Sequence, residues 1–110
     1  MERKVLGKIE SAELGKISDY PMYMGLLLKF TFDGNCHVGD GGKFTTNMSK
    51  GCIWSSAEER RLAIEKRMDA VYKLLNDAKV ETVSQLKNKP VEITLEANTF
   101  KDFRILTEVL

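Results

Sequence analysis

A run of alternating apolar residues between positions 22 and 32 constrains the fold of this chain more than any other feature. Every second residue is apolar, which is the pattern of a strand with one buried face. Asp33-Gly34 follows at once, and this dipeptide supplies the positive φ angles of a two-residue hairpin turn. The sequence therefore predicts an antiparallel hairpin whose outgoing strand carries much of the core. The alternating residues are Met22, Met24, Leu26, Leu28, Phe30 and Phe32.

The returning strand, from about residue 36 to residue 48, is interrupted by a glycine-rich loop. The loop consists of Gly39, Asp40, Gly41, Gly42 and Lys43. Glycine costs backbone entropy on folding, so such a cluster suggests that something uses the bare backbone. One interpretation is a ligand site, in which amides form an anion-binding nest, Lys43 adds a charge and Asp40 accepts ribose hydroxyls. The other is a β-bulge or wide turn without a ligand. Because the loop runs into a strand and not a helix, a nucleotide-hydrolysing phosphate loop is not expected.

Composition places the chain among ordinary soluble globular proteins. Its 110 residues fit a single domain, residues 1–110, with 43% hydrophobic and 30% charged residues. A formal net charge of +1 argues against strong nucleic-acid binding, which usually needs a basic excess. No apolar run approaches the roughly 20 residues of a membrane span, so no membrane partner is expected. The charged start of the chain does not resemble a signal peptide, and we expect a cytoplasmic location.

The remaining segments predict two more hairpin strands and one long helix. Residues 4–17 alternate poorly around Gly7 and Gly15, which indicates an edge strand with a bulge or bend. Ser56 and Glu59 form a capping box at the start of a helix over residues 57–77. Its apolar stripe contains Ile64, Met68, Val71, Leu75 and Ala78, widened by Leu62, Tyr72 and Leu74.

After the helix, the sequence predicts a short helical turn and a second hairpin. Thr82 and Gln85 repeat the capping-box spacing, and Pro90 ends that turn. Alternation over residues 91–96 and 103–110 predicts two strands, the second continuing to the C-terminus.

The predicted fold class is therefore α+β. It has an antiparallel sheet of about five strands in the order β-β-β-α-short α-β-β, with one long helix packed on one face. One helix leaves the other sheet face bare, so Tyr23, Leu27 and Leu106 are expected to be exposed. An exposed apolar patch favours self-association, and we expect a homo-oligomer.

The residues give little support for catalysis or metal binding. Cys36 and Cys52 are the only cysteines and His37 is the only histidine. Their spacing does not suit zinc, and two free thiols are expected. Adjacent strand residues point to opposite faces, so Cys36 and His37 should not form a catalytic pair. We expect a protein that is not an enzyme and needs no cofactor.

A second candidate binding stretch surrounds the last predicted turn. Its proposed ligand-binding residues are Asn98, Phe100, Lys101 and Arg104. An aromatic ring and cations could stack a base and hold a phosphate. The same residue types dominate protein–protein hot spots. Phe100 and Phe103 could also be core residues, an interpretation favoured for Phe103 and less so for Phe100 at the turn.

The segments KIESAELG, DYPMYMGLLLKF, VGDGGKF and VSQLKNKPVEITLEANTFKDFRILTEVL together resemble small accessory proteins encoded by phages of Gram-positive hosts. The resemblance implies a counter-defence role in the cytosol of a host cell. Some such proteins sequester nucleotide immune signals, usually at oligomer interfaces, and others, of the anti-CRISPR type, block a host protein. The resemblance assigns no site residue.

Two functions consequently remain open. The first is a non-enzymatic protein that sequesters a small nucleotide immune signal in a pocket at or near a subunit interface, built where the glycine-rich loop and the turn at Phe100 meet. The alternative is an inhibitor that binds a host defence protein through an exposed face.

Overall fold

The computed structural model describes residues 1–50 and 54–110. The sequence of residues 49–54 predicts a loop that crosses from the sheet to the helix, and this loop lies partly outside the described residues. The strands are β1 (Glu2–Ile17), β2 (Tyr20–Phe32), β3 (Cys36–Gly39), β4 (Phe44–Asn47), β5 (Pro90–Glu96) and β6 (Thr99–Ile105). The helix α1 (Ala57–Ala78) and the 3-10 turns Val83–Leu86 and Thr107–Val109 complete the fold. The predicted α+β class is confirmed: in the described part of the chain, one antiparallel sheet carries a single α-helix.

The first half of β1 lies at the centre of the sheet, so the prediction of an edge strand is wrong for that half. Its neighbours are β2 on one side and β5 on the other, in the order β3-β2-β1-β5-β6, and β4 also pairs with β2. The length of β1 makes this arrangement possible. Its first half, up to Lys8, pairs with β5, and its second half, from Gly7 onward, pairs with β2.

The predicted bulge in β1 is confirmed, and it explains the poor alternation of the sequence. The register with β2 breaks between Ile9 and Ser11. An extra residue in one strand reverses which residues face the core. Ile9 faces inward before the bulge, opposite Phe30, and Ala12 faces the same way after it, opposite Leu28.

The predicted returning strand is divided into two short strands by the glycine-rich loop. Gly39 pairs with Lys29, and the next paired residue, Phe44, lies opposite Leu26. The four residues between Gly39 and Phe44 therefore lie opposite only two residues of β2. The loop has the geometry of a wide bulge in the edge of the sheet.

The first hairpin turn and the end of the last strand differ from the prediction. The turn after β2 spans three unpaired residues, 33–35, although Asp33 and Gly34 adopt the predicted positive φ angles of 52° and 80°. The last strand ends at Ile105 and is followed by the 3-10 turn, so its predicted extension to the C-terminus is wrong.

Aromatic side chains join the two ends of the sheet inside the core. The ring of Phe30 on β2 stacks on Phe100 of β6, with centroids 5.6 Å apart, and lies 4.8 Å from the ring of Phe103. Phe44 of β4 meets Phe103 edge to face at 6.0 Å. Since β2, β4 and β6 come from different parts of the strand order, these contacts require a sheet curled into a partly open barrel.

The helix closes the gap between β4 and β6. Ser56 caps its start as predicted, because the amide of Glu59 donates to the Ser56 Oγ at 3.1 Å. The other half of the predicted capping box differs, since the Glu59 carboxylate accepts from Ser55 and not from the Ser56 amide. Leu74 and Ala78 are buried near its end. Met68 and Tyr72, which belong to the predicted apolar stripe, remain 64% and 68% exposed. Within the described ranges, no helix is long and apolar enough to cross a membrane.

The sheet face that was expected to be bare is partly covered. Tyr23, Leu27 and Leu106 are half-buried and not fully exposed. The exposed large apolar side chains lie instead along the hairpin of β1 and β2, on α1 and near the two termini.

Gly7 should be indispensable to this curvature, and Gly15 in the same strand should not. A Cβ at Gly7 would lie 2.2 Å from the Thr31 carbonyl oxygen, whereas a Cβ at Gly15 would meet nothing within 4 Å. We expect Gly7→Ala to lower the free energy of unfolding by about 1–3 kcal/mol, the usual cost of overpacking. Gly15→Ala should leave it unchanged or slightly higher. Urea denaturation of both variants measures this difference, and equal stability of the two would contradict the assigned role of Gly7.

Candidate functional site

The glycine-rich loop is held by a hydrogen bond to β2 and by hydrogen bonds within the loop. Gly41 and Gly42 have φ angles of 65° and 80°, which glycine adopts readily. The amide of Asp40 donates to the Leu28 carbonyl at 3.1 Å, and the amide of Gly42 donates to Asp40 Oδ1 at 3.0 Å. A carboxylate of the loop itself therefore takes the amide that a nest would offer to a bound anion.

Asp40 is the most unusual ionisable residue in this region. Its side chain is only 6% exposed, and its Oδ2 is buried without a hydrogen-bond partner among the described residues. Burial raises the pKa of Asp40, and the hydrogen bond from Gly42 and the nearby charge of Lys43 offset this only partly. Burying a carboxylate costs free energy unless it is fully paired.

This burial predicts a pH-dependent stability effect for Asp40→Asn. A raised folded pKa means that the folded state binds more protons than the unfolded state between the ordinary value of 3.8 and the raised value. The stability contribution of Asp40 therefore falls as the pH rises through that window. We expect Asp40→Asn, which keeps the acceptor for Gly42, to raise the melting temperature at pH 7 and to lose that advantage near pH 3. Destabilisation at pH 7 would instead show that the charged form of Asp40 is used.

The second predicted stretch is divided between the two faces of β6. Phe100 is half-buried, and Phe30 covers one face of its ring. Lys101 forms ion pairs with Glu2 and Glu96 on the outside of the sheet. Asn98 accepts a hydrogen bond from Arg3 at 3.4 Å at the turn. Neither Phe100 nor Lys101 is arranged to hold a ligand jointly with the other.

The glycine-rich loop and β6 nevertheless meet within one chain. Lys43 Nζ lies 3.2 Å from Asp102 Oδ1. A Cβ built on Gly41 would lie 3.8 Å from the ring of Phe100. The curled sheet places these sequence-distant stretches beside each other, and of the predicted site residues it brings Lys43 and Arg104 to the same cleft.

That cleft lies between α1, β4 and β6 and has a volume of about 450 Å³. Its lining is mostly apolar and includes three cationic residues from different parts of the chain. The lining residues are Lys43, Phe44, Ala70, Lys73, Leu74, Asp77, Phe103, Arg104, Ile105 and Thr107. Pockets for small ligands typically combine such an apolar lining with a few polar groups.

Each cation of the cleft has a carboxylate partner. Lys73 Nζ lies 2.8 Å from Asp77 Oδ2, one helical turn away. Arg104 donates to Glu92 at 3.2 Å and to both carboxylate oxygens of Glu108 at 3.0 and 3.1 Å. The hydrogen bond from Arg104 lowers the pKa of Glu108. All of these carboxylates remain partly exposed to solvent, so the pairs can exchange partners.

The sequence did not identify the helix side of the cleft. Lys73 and Asp77 have the spacing of a surface ion pair, which by itself carries no sign of a site. Phe103 was interpreted as a core residue, and it is both in contact with Phe30 and part of the cleft lining. Only the packing of α1 between β4 and β6 shows that these residues share a surface.

His37 and Cys36 lie away from the cleft. His37 Nδ1 is 3.0 Å from a carboxylate oxygen of Glu10. Cys36 is exposed, and Cys52 lies outside the described residues. Across the described residues, no group of three or more His, Cys, Asp or Glu side chains is arranged to hold a metal ion.

No protein-family model, curated protein or solved structure matches this chain.

Proposed function

We propose that this protein is a non-enzymatic binding protein that holds a small, flat, anionic ligand of the nucleotide type in the cleft between α1, β4 and β6. The observation that carries the proposal is the joint presence of a mostly apolar lining with an aromatic residue and three cations. Phe103 lines the cleft together with Lys43, Lys73 and Arg104, which come from the loop, the helix and the last strand. Stacking on an aromatic side chain and charge-assisted hydrogen bonds to phosphate are the usual means of holding such a ligand.

The ion pairs at the cleft are compatible with this proposal. Exposed pairs typically contribute about 0–1 kcal/mol each, so a phosphate can replace a carboxylate partner at little cost. Arg104 is suited to this exchange, because a guanidinium donates two parallel hydrogen bonds to phosphate as readily as to carboxylate. The existing carboxylates would keep the cations oriented while the cleft is empty.

The resemblance to small phage-encoded accessory proteins supplies a biological setting for the proposal. A protein that binds a nucleotide immune signal without converting it would lower the free concentration of that signal in the host cytosol. The cleft volume of about 450 Å³ lies in the range of pockets for small molecules, and each subunit would supply one such cleft.

Calorimetric titration with a nucleotide panel tests the proposal. The panel contains mononucleotides, cyclic dinucleotides, cyclic trinucleotides and cyclic ADP-ribose isomers. We expect Arg104→Ala to weaken binding of the active compound by roughly 10- to 150-fold, the effect of losing one charge-assisted hydrogen bond.

Lys101→Ala is the matched control, because Lys101 is a neighbouring, ion-paired cation of β6 that does not line the cleft. It should bind as the unaltered protein does. Equal losses in the two variants would place the ligand elsewhere on β6, and the absence of binding by any compound of the panel would count against a nucleotide ligand.

A second candidate function is inhibition of a host defence protein through a protein–protein interface. The observation that favours it is the exposure of three large apolar side chains on α1, namely Leu62, Met68 and Tyr72. Aromatic and methionine side chains are enriched at interface cores. If this function is correct, Met68→Glu should abolish binding to a purified host defence protein, whereas Arg104→Ala should not affect it.

A further inference from the structure

Beyond Ile9, β1 pairs with β2 alone, and on its other side no strand of the described residues follows the 3-10 turn Val83–Leu86, which packs against β1. Pairing between β1 and β5 ends at Lys8, and the next residue, Ile9, is bonded to the chain before β5: its amide donates to the Lys89 carbonyl and its carbonyl accepts from the Asn88 amide. Beyond Ile9, the described backbone hydrogen bonds of β1 go only to β2. The strand continues along that neighbour to Ile17.

The hydrogen-bonding direction of the free segment follows from Ile9. In a strand of an antiparallel ladder, the N–H and C=O groups of one residue point toward the partner strand, and those of the next residue point away from it. Ile9 points away from β2, so Ser11, the next paired residue after the bulge, points toward it. The groups of Ala12, Leu14 and Lys16 consequently point away from β2 into the free edge. A row of this kind is a template for another strand.

The same segment exposes an apolar surface. Leu14 is 57% exposed and lies opposite Leu26, a core residue, so it extends the core face of the sheet beyond the barrel. Met22 and Met24 on β2 are also exposed on this hairpin. A strand added to the edge beside Leu14 would cover part of this surface while satisfying the backbone.

The geometry points to a second copy of this chain as the added strand, in an antiparallel pair about a twofold axis at Leu14. A twofold axis perpendicular to the sheet joins the two edges so that the same face of each sheet points in the same direction. Leu14 then lies opposite Leu14 of the second copy, and Ala12 lies opposite its Lys16. The backbone groups of these three residues point away from β2 toward the added strand, as the pairing requires. Glu13 then lies opposite Gly15, where a Cβ would meet nothing within 4 Å and space is available.

Charge disfavours the neighbouring register that has its axis at Glu13. Moving the axis to Glu13 would place two carboxylates directly opposite each other, which is destabilising in a sheet. With the axis at Leu14, no like charges are directly opposed between residues 12 and 16. The resulting pair would have one continuous sheet through both subunits and a shared apolar surface around Leu14, Met22 and Met24.

Analytical ultracentrifugation at micromolar to submillimolar concentration tests the proposal. The unaltered protein should approach twice the 12.5 kDa chain mass as concentration rises. Leu14→Glu should shift it to the monomer, because two carboxylates would meet on the axis. Leu6→Glu is the matched control: Leu6 lies in the same strand and is 68% exposed, but it is paired with β5 and away from the free edge.

Ala12→Pro supplies an independent test of the edge. Its amide points away from β2, so proline removes no bond of the β1–β2 ladder but blocks the approach of a partner strand. Far-ultraviolet circular dichroism verifies the fold of each variant. Monomeric Leu14→Glu and Ala12→Pro with a dimeric Leu6→Glu would support the proposal. A monomeric unaltered protein, or a dimer that both edge variants leave intact, would overturn it, as would an edge that accepts only an unrelated peptide strand.

Discussion

The fold depends on the ability of β1 to pair on both sides while bending. At Gly7 the strand passes from β5 to β2, and the Thr31 carbonyl comes so close that no side chain would fit. Just after Ile9 the bulge shifts the alternation by one residue, so that Ile9 and Ala12 both face the core. A straight first strand would give a flat sheet with its ends far apart. The bent strand instead brings β6 back toward the glycine-rich loop.

The candidate site is a consequence of this closure. Phe30 contacts two rings of β6 across the barrel, and α1 fills the opening that remains between β4 and β6. The cleft lies where these elements meet, so its cations come from the loop, the helix and the last strand. The glycine-rich loop contributes by shape: its wide bulge ends β3, starts β4 and presents Lys43. The buried carboxylate of Asp40 accepts a hydrogen bond from the Gly42 amide of the same loop.

Local patterns in the sequence were sufficient for the elements and insufficient for their arrangement. The Ser56 cap, the alternation of β2 and the positive φ angles of Asp33 and Gly34 depend on neighbours along the chain and were predicted, whereas the turn is one residue longer than predicted. The central position of β1 was not, since a bulge spoils the alternation that would mark a core strand. Lys43 and Arg104 were selected for their residue type, but Lys73 could be recognised only after α1 had been placed against β6.

Closure of the sheet is the central claim, and nuclear Overhauser effects between aromatic ring protons test it most directly. With ring centroids separated by 4.8 and 5.6 Å, Phe30 should show strong cross-peaks to both Phe103 and Phe100 in the folded protein. Phe44 should show a cross-peak to Phe103 as well. Cross-peaks confined to neighbours within each hairpin, with none linking β2 or β4 to β6, would contradict the curled sheet and the cleft that depends on it.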